Sequence, residues 1–182
     1  MKFIDTEIAD VKIIEINVFG DERGFFMETF RTDEFMEKTG AKPFVQDNHS
    51  KSTKGILRGL HFQQQQTQGK LVRVISGAVY DVAVDMRESS PTFGKAVGVV
   101  LSAENKRQLW VPEGFAHGFY VITDSAEFIY KCTDYYHPES EVSVRWDDAE
   151  LAIDWPLVDG ELPQLSVKDV DGFSFQNAPK FD

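Results

Sequence analysis

From about residue 44 onward the chain is a succession of short β-branched and aromatic runs with turn residues between them. The runs are KLVRVIS, AVYDVAVDM, KAVGVVLS, QLWVPEG, AHGFYVIT, AEFIYKCT and EVSVRW. Each has strand length and a partial two-residue alternation, the signal of half-buried β structure. Strands are not interleaved with helical patterns, which excludes a doubly wound parallel sheet. The expected class is all-β, an antiparallel double-sheet sandwich or barrel with few short helices. Ser76-Gly77, between KLVRVIS and AVYDVAVDM, reads as a hairpin turn. Upstream, VKIIEINVF (11–19) reads as one strand, and DERGFF (21–26) as a turn leading into another. RTDEFMEKTG is the clear helix candidate, with Thr32 as cap, Asp33 and Glu34 at the positive end, and Gly40 as stop. In LSVKD, Ser166 with Asp169 three residues on has capping-box spacing.

A chain of 182 residues with 42% hydrophobic content suits a single packed domain over 1–182. Its formal charge of −11 argues against nucleic acid or an anionic membrane as partner, because both require a basic footprint. A few well-placed Arg and Lys could still hold a small anion. Asp5, Glu7 and Asp10 interrupt the N-terminal region, and no run approaches the ~18 apolar residues of a membrane helix. Cys132 is the only cysteine, so there is no internal disulfide and no thiolate-rich zinc site. A reducing cytoplasm is the expected compartment.

GILRGLHFQ (55–63) places His61 in an apolar strand without an obvious ion-pair partner. By default such a histidine is a core side chain whose two nitrogens find hydrogen bonds. VPEGFAHGF adds Pro112, Gly114 and His117 in P-x-G-x-x-H spacing. Together with HFQQQQTQGKLVRVISGAVYDV, this resembles the two motifs of the cupin superfamily, a double-sheet jelly-roll barrel. Metal-binding cupins generally carry a second histidine two residues after the first; here that place holds Gln63. Neutral amides are poor transition-metal ligands, so no metal is expected and both histidines are free for proton chemistry.

A closer resemblance follows from DERGFFMETF, FVQDNHSKSTKGILRGLHFQ, GKLVRVISGAVYDVAVDMRESSPTFG, VPEGFAHGF, YKCTDYYHPESE and LSVKD. In this order, from about residue 19 to 172, they are similar to the dTDP-4-dehydrorhamnose 3,5-epimerases, the dTDP-sugar epimerase family. The resemblance implies His61 as general base, Tyr130 as general acid and Asp169 as the group that orients His61. It implies that Arg23, Glu28, Gln46, Asp47, Asn48, Arg58, Lys70, His117, Glu141 and Lys168 line a nucleotide-sugar site. It also implies a homodimer in which Arg23 reaches the neighbouring subunit's site, and a dTDP-4-keto-6-deoxysugar as substrate. The reaction implied is conversion of dTDP-4-dehydro-6-deoxy-D-glucose to dTDP-4-dehydro-L-rhamnose.

Residue chemistry agrees with that assignment. A ketone acidifies the protons on the carbons beside it, and inversion needs a base on one face and an acid on the other. Imidazole, with a reference pKa of about 6.5, is available as base near neutral pH; tyrosine, near 10, keeps its proton to give. Lys70 and His117 are candidate donors to the enolate oxygen. No redox cofactor is required, and no nucleotide-cofactor motif is present.

Alternation places Tyr130 on one face with Phe128 and Cys132, and Lys70 with Val72 and Val74. Strict alternation sets Arg58 and His61 on opposite faces, and a bulge at Gly59 is what could re-aim one of them. Other readings are a single-carbon epimerase, with Tyr136 as a candidate for how far reaction proceeds, a non-catalytic nucleotide-sugar-binding cupin, and a metal-dependent dioxygenase.

Overall fold

The computed structural model covers residues 1–182. Its strands are β1 (Lys2–Asp5), β2 (Lys12–Glu15), β3 (Val18–Asp21), β4 (Gly24–Met27), β5 (Gln46–Thr53), β6 (Leu57–Gln63) and β7 (Lys70–Ser76). They continue with β8 (Ala78–Asp85), β9 (Ala96–Ser102), β10 (Gln108–Val111), β11 (Phe115–Val121), β12 (Ser125–Cys132) and β13 (Glu141–Ser143). Helices are α1 (Thr32–Thr39) and α2 (Val167–Val170). A six-stranded sheet runs β1-β2-β10-β7-β12-β5, and a five-stranded sheet runs β13-β6-β11-β8-β9. Every pairing within them is antiparallel, giving the double-sheet jelly roll expected for these runs.

Alternation assigns each strand face to a layer. Val72 and Val74 of β7 and Phe128 of β12 meet Val79 and Ala83 of β8 and Phe115 and Phe119 of β11 in the core between the sheets. The alternate positions Val82, Val84 and Tyr120 point outward, beneath Leu151, Trp155 and Phe175 of the C-terminal segment. On the far side of the six-stranded sheet, α1 buries only Phe35, which meets Trp110 edge-on at 5.2 Å. Fully burying such a ring contributes about 1.5–3 kcal/mol, enough to fix a short helix of weak propensity.

Three local expectations are corrected. Ser76-Gly77 is a corner: β7 belongs to one sheet and β8 to the other, so the pair is no hairpin. The run 11–19 divides into β2, inside the six-stranded sheet, and β3, which pairs with β4 in a separate two-stranded arm. Arg31, not Thr32, is the N-cap of α1, and its side chain makes no cap bond; Gly40 ends the helix at φ 68°. No helix is long and apolar enough to cross a membrane. The arm is exposed, with Phe19, Phe25 and Phe26 at 64%, 61% and 70%.

Candidate active site

Between the sheets lies a cavity of ≈ 400 Å³ whose walls come from both. The five-stranded sheet contributes Arg58 and His61 from β6, His117 from β11 and Glu141 from β13; the six-stranded sheet contributes Lys70, Tyr130, Gln46 and Asn48. Lys168 and Asp169 enter from α2.

The conflict over Arg58 is resolved by a register shift. β6 pairs with β11 as His61↔His117 and Arg58↔Phe119, so three steps along one strand match two along the other. The extra residue is a bulge that turns both side chains into one cavity. Gly59, at φ +120°, permits it: a Cβ there would lie 2.5 Å from the Gly118 Cα.

His61 Nε2 meets Asp169 Oδ1 at 2.5 Å. Asp169 also accepts the Ser166 hydroxyl at 2.6 Å and the Gly59 N–H at 3.4 Å. Ser166 sits at the N-cap as expected, yet its hydroxyl serves the carboxylate and not the helix backbone. Burial pushes Asp169 up, but the hydrogen bonds from His61 and Ser166 outweigh it and hold the carboxyl below its ordinary value. Burial lowers His61, and Asp169 offsets only part of that. The pair is therefore a carboxylate beside a neutral imidazole, the protonation state of a base.

A second pair lies beside it, on the neighbouring strands of the same sheet. His117 Nε2 lies 2.9 and 3.0 Å from the two oxygens of Asp81, which is completely buried on β8. Asp81 makes no other hydrogen bond, and burial raises its pKa. Phe128 stacks on the His117 ring at 6.2 Å. Asp81 was not among the residues singled out from sequence. The signal was present, because alternation with Val79 and Ala83 places an acid on an apolar face, where it requires a partner.

Every fully buried side-chain polar atom has a hydrogen-bond partner. Lys70 Nζ, Tyr130 Oη and His117 Nδ1 have none, so each is reachable from the cavity they line. Burial lowers the Lys70 pKa, and burial raises Tyr130 to about 12, so its proton is firmly held. Glu141 accepts from Lys168 at 2.9 Å and from the Tyr136 hydroxyl at 3.2 Å, across the mouth. Gln63, Gln68, Ser50 and Ser166 also line the cavity and had not been singled out as site residues.

Arg23, Glu28 and Asp47 are not brought to this cavity by the single chain. Along β5, Gln46 and Asn48 face it, and the alternate Asp47 points to a neighbouring hollow and pairs with Lys131 at 3.0 Å. Arg23 is exposed at the tip of the β3–β4 arm and pairs with Asp21 at 2.5 Å. Glu28 is exposed just past that arm. No group of three His, Cys, Asp or Glu side chains is arranged to hold a metal ion.

A sequence profile described as dTDP-4-dehydrorhamnose 3,5-epimerase matches residues 5–177. The dTDP-4-dehydrorhamnose 3,5-epimerase of Shigella flexneri is 59% identical, over 100% of this chain and 99% of its own. That of Neisseria gonorrhoeae is 58% identical over 99% of this chain, which spans about half (54%) of that relative's length. A crystal structure of dTDP-6-deoxy-D-glucose-3,5-epimerase from Legionella pneumophila Philadelphia 1, in complex with dTDP-4-keto-L-rhamnose, has TM-score 0.95 and 57% identity. It covers 100% of this chain and 98% of its own.

Proposed function

This chain belongs to the dTDP-4-dehydrorhamnose 3,5-epimerase family, and from that premise we propose how its cleft works. The substrate is dTDP-4-dehydro-6-deoxy-D-glucose, and inversion at C3 and C5 gives dTDP-4-dehydro-L-rhamnose. One observation carries the reading. A neutral, carboxylate-held imidazole stands on one sheet, and a partnerless tyrosine hydroxyl stands on the other, across one cavity.

His61 removes the proton beside the ketone, while Asp169 keeps its Nε2 engaged and orients the ring. Charge moves onto the ketone oxygen, where Lys70 and His117 donate hydrogen bonds. Lys70 suits this because it has no ion-pair partner of its own. Tyr130 then protonates the opposite face of the same carbon; His61 loses its proton to solvent and the Tyr130 phenolate takes one back, and a second round inverts the other carbon. Arg58 and Lys168 supply positive charge for the diphosphate, Gln46 and Asn48 offer neutral hydrogen-bonding contacts, and Glu141 lies at the sugar end.

The functional unit is a homodimer. Exposed aromatic rings on the β3–β4 arm make an apolar patch of the kind that another protein surface covers, and Arg23 sits at the arm's tip. In that assembly Arg23 reaches the partner's cleft, with a guanidinium fit for bidentate phosphate contact.

The test is incubation with dTDP-4-dehydro-6-deoxy-D-glucose in D₂O. Deuterium is expected at C3 and C5 together with the L-rhamno product. Binding without exchange at either carbon would leave a nucleotide-sugar-binding protein and overturn the proposal.

A further inference from the structure

The run QQQQTQ at 63–68 is the sequence feature that the chemistry above leaves unused. The structure gives three of its amides definite work. Gln63 is buried; its Nε2 donates to the carbonyls of Gln66 at 2.8 Å and Tyr135 at 3.1 Å, and its Oε1 accepts the His137 N–H at 3.0 Å. Gln68 Nε2 donates to the Asp134 carbonyl at 2.8 Å. Gln64 turns elsewhere, to the Lys180 carbonyl in the C-terminal tail at 2.8 Å.

Two of these amides thus hold one segment, 134–141, and that segment crosses the mouth of the cleft. It carries Tyr136, whose N–H donates to Gln46 at 2.9 Å and whose hydroxyl donates to Glu141 at 3.2 Å. It ends at Glu141, the register partner of Gln63, which lines the same cavity as His61. All of Gln63's strong hydrogen-bonding groups are engaged with main chain, so it holds the segment and leaves the substrate to others.

We infer that Gln63 and Gln68 are positioning residues for substrate binding: their amides hold residues 134–141 so that Tyr136 and Glu141 close over the sugar end of the cleft. The inference rests on the epimerase reading for what is bound, and on hydrogen bonds alone for what is held. A segment that must first be ordered weakens binding before it touches chemistry, so the loss falls on KM more than on kcat.

Gln63→Glu retains the acceptor for His137 but removes both donors and sets a carboxylate against two carbonyls. Gln68→Ala removes the other tie, and Gln64→Ala is the control that removes a comparable amide outside the segment. With dTDP-4-dehydro-6-deoxy-D-glucose as substrate, Gln63→Glu should raise KM roughly tenfold with kcat within about threefold, and Gln68→Ala should move the same way by less. Gln64→Ala should stay within about twofold of the parent. Hydrogen exchange over 134–141 should accelerate in the first two variants only, a readout independent of turnover. If Gln63→Glu proves unstable, Gln68→Ala decides alone. Unchanged exchange over 134–141, or faster exchange with KM equal to that of Gln64→Ala, would overturn the inference. A parent protein that turns over no substrate would overturn the epimerase reading, and the assignment to substrate binding with it.

Discussion

The cleft contains two histidine–carboxylate pairs side by side, their histidines register partners on adjacent strands, and they are built differently. His61 lies on the bulged strand β6 and is 18% exposed; its carboxylate arrives from α2, more than a hundred residues away. His117 and Asp81 sit on neighbouring strands of the regular β8–β11 ladder, 8% and 0% exposed. Asp169 receives two further donors, Ser166 and Gly59, and its pKa falls. Asp81 receives none, and its pKa rises. His61 and Ser166 together hold Asp169 down against its burial, whereas His117 does not offset the complete burial of Asp81. In the proposed mechanism the first pair is the base, and the second is a fixed wall whose free ring nitrogen lines the cavity.

The strongest attempt to break this distinction is to delete each histidine in turn. His61→Asn should reduce deuterium uptake at both C3 and C5 by about 10²–10⁴-fold, the usual contribution of a general acid–base group. His117→Asn should cost roughly tenfold, with exchange retained, because Lys70 still faces the ketone. Equal losses, measured by single-turnover exchange, would erase the difference between the pairs.

Tyr130→Phe tests the wall opposite the base. A base can take and return a proton on one face unaided, but inversion needs a donor on the other. This variant should still exchange deuterium into recovered substrate while forming about 10²-fold less epimer. Its thermal midpoint should move little, since the ring keeps its packing against Phe128 at 5.9 Å. Epimerisation at the parent rate would make another group the acid.

Asp85 sharpens the role of donors, because it shares the inward face of β8 with Asp81 and is equally buried. Burial pushes Asp85 up too, but Arg87, Ser90 and Thr92 outweigh it and hold the carboxyl at about 2. A carboxyl depressed in the folded state stabilises above its unfolded value and loses that contribution as pH falls from 3.8 towards 2. Asp85→Asn should therefore lower stability by about 2 kcal/mol at pH 7, most of which disappears in acid. Asp81, raised in the folded state, opposes folding when ionised, so Asp81→Asn should leave urea stability unchanged or improved. A loss as large as that of Asp85→Asn would contradict the contrast.

The smallest expected effect is on the pH profile. The proposed mechanism uses neutral His61, whose pKa is lowered by burial, so kcat/KM should fall on the acid side through a value below 6.5. Asp169 acts to raise that pKa, and Asp169→Asn should shift the limb further to acid in addition to reducing the rate. A limb that moves alkaline in this variant would show that another group controls it.

The β class, the inward faces of β7, β8 and β12, and the helix at Thr32–Thr39 were legible in the sequence, because alternation, an acidic first turn and a terminating glycine are local properties of a few residues. The motifs RGLHFQ, IYKCT and LSVKD also named His61, Tyr130 and Asp169, which do line one cavity. Asp81 was legible in principle, as an acid on an apolar face. Pairing was not. Whether Ser76-Gly77 closes a hairpin or turns a corner depends on β10, β11 and β12, which lie far along the chain. Arg58 and His61 share a cavity only because β11 imposes a register one residue out of step. The glutamines of 63–68 carry no periodic signal, and their work depends on carbonyls about seventy residues away. A two-residue period is set by each strand's own backbone, so sequence suffices to assign its faces. Which strands meet, and in what register, is decided by the packing of both sheets together, and that exists only in the tertiary structure.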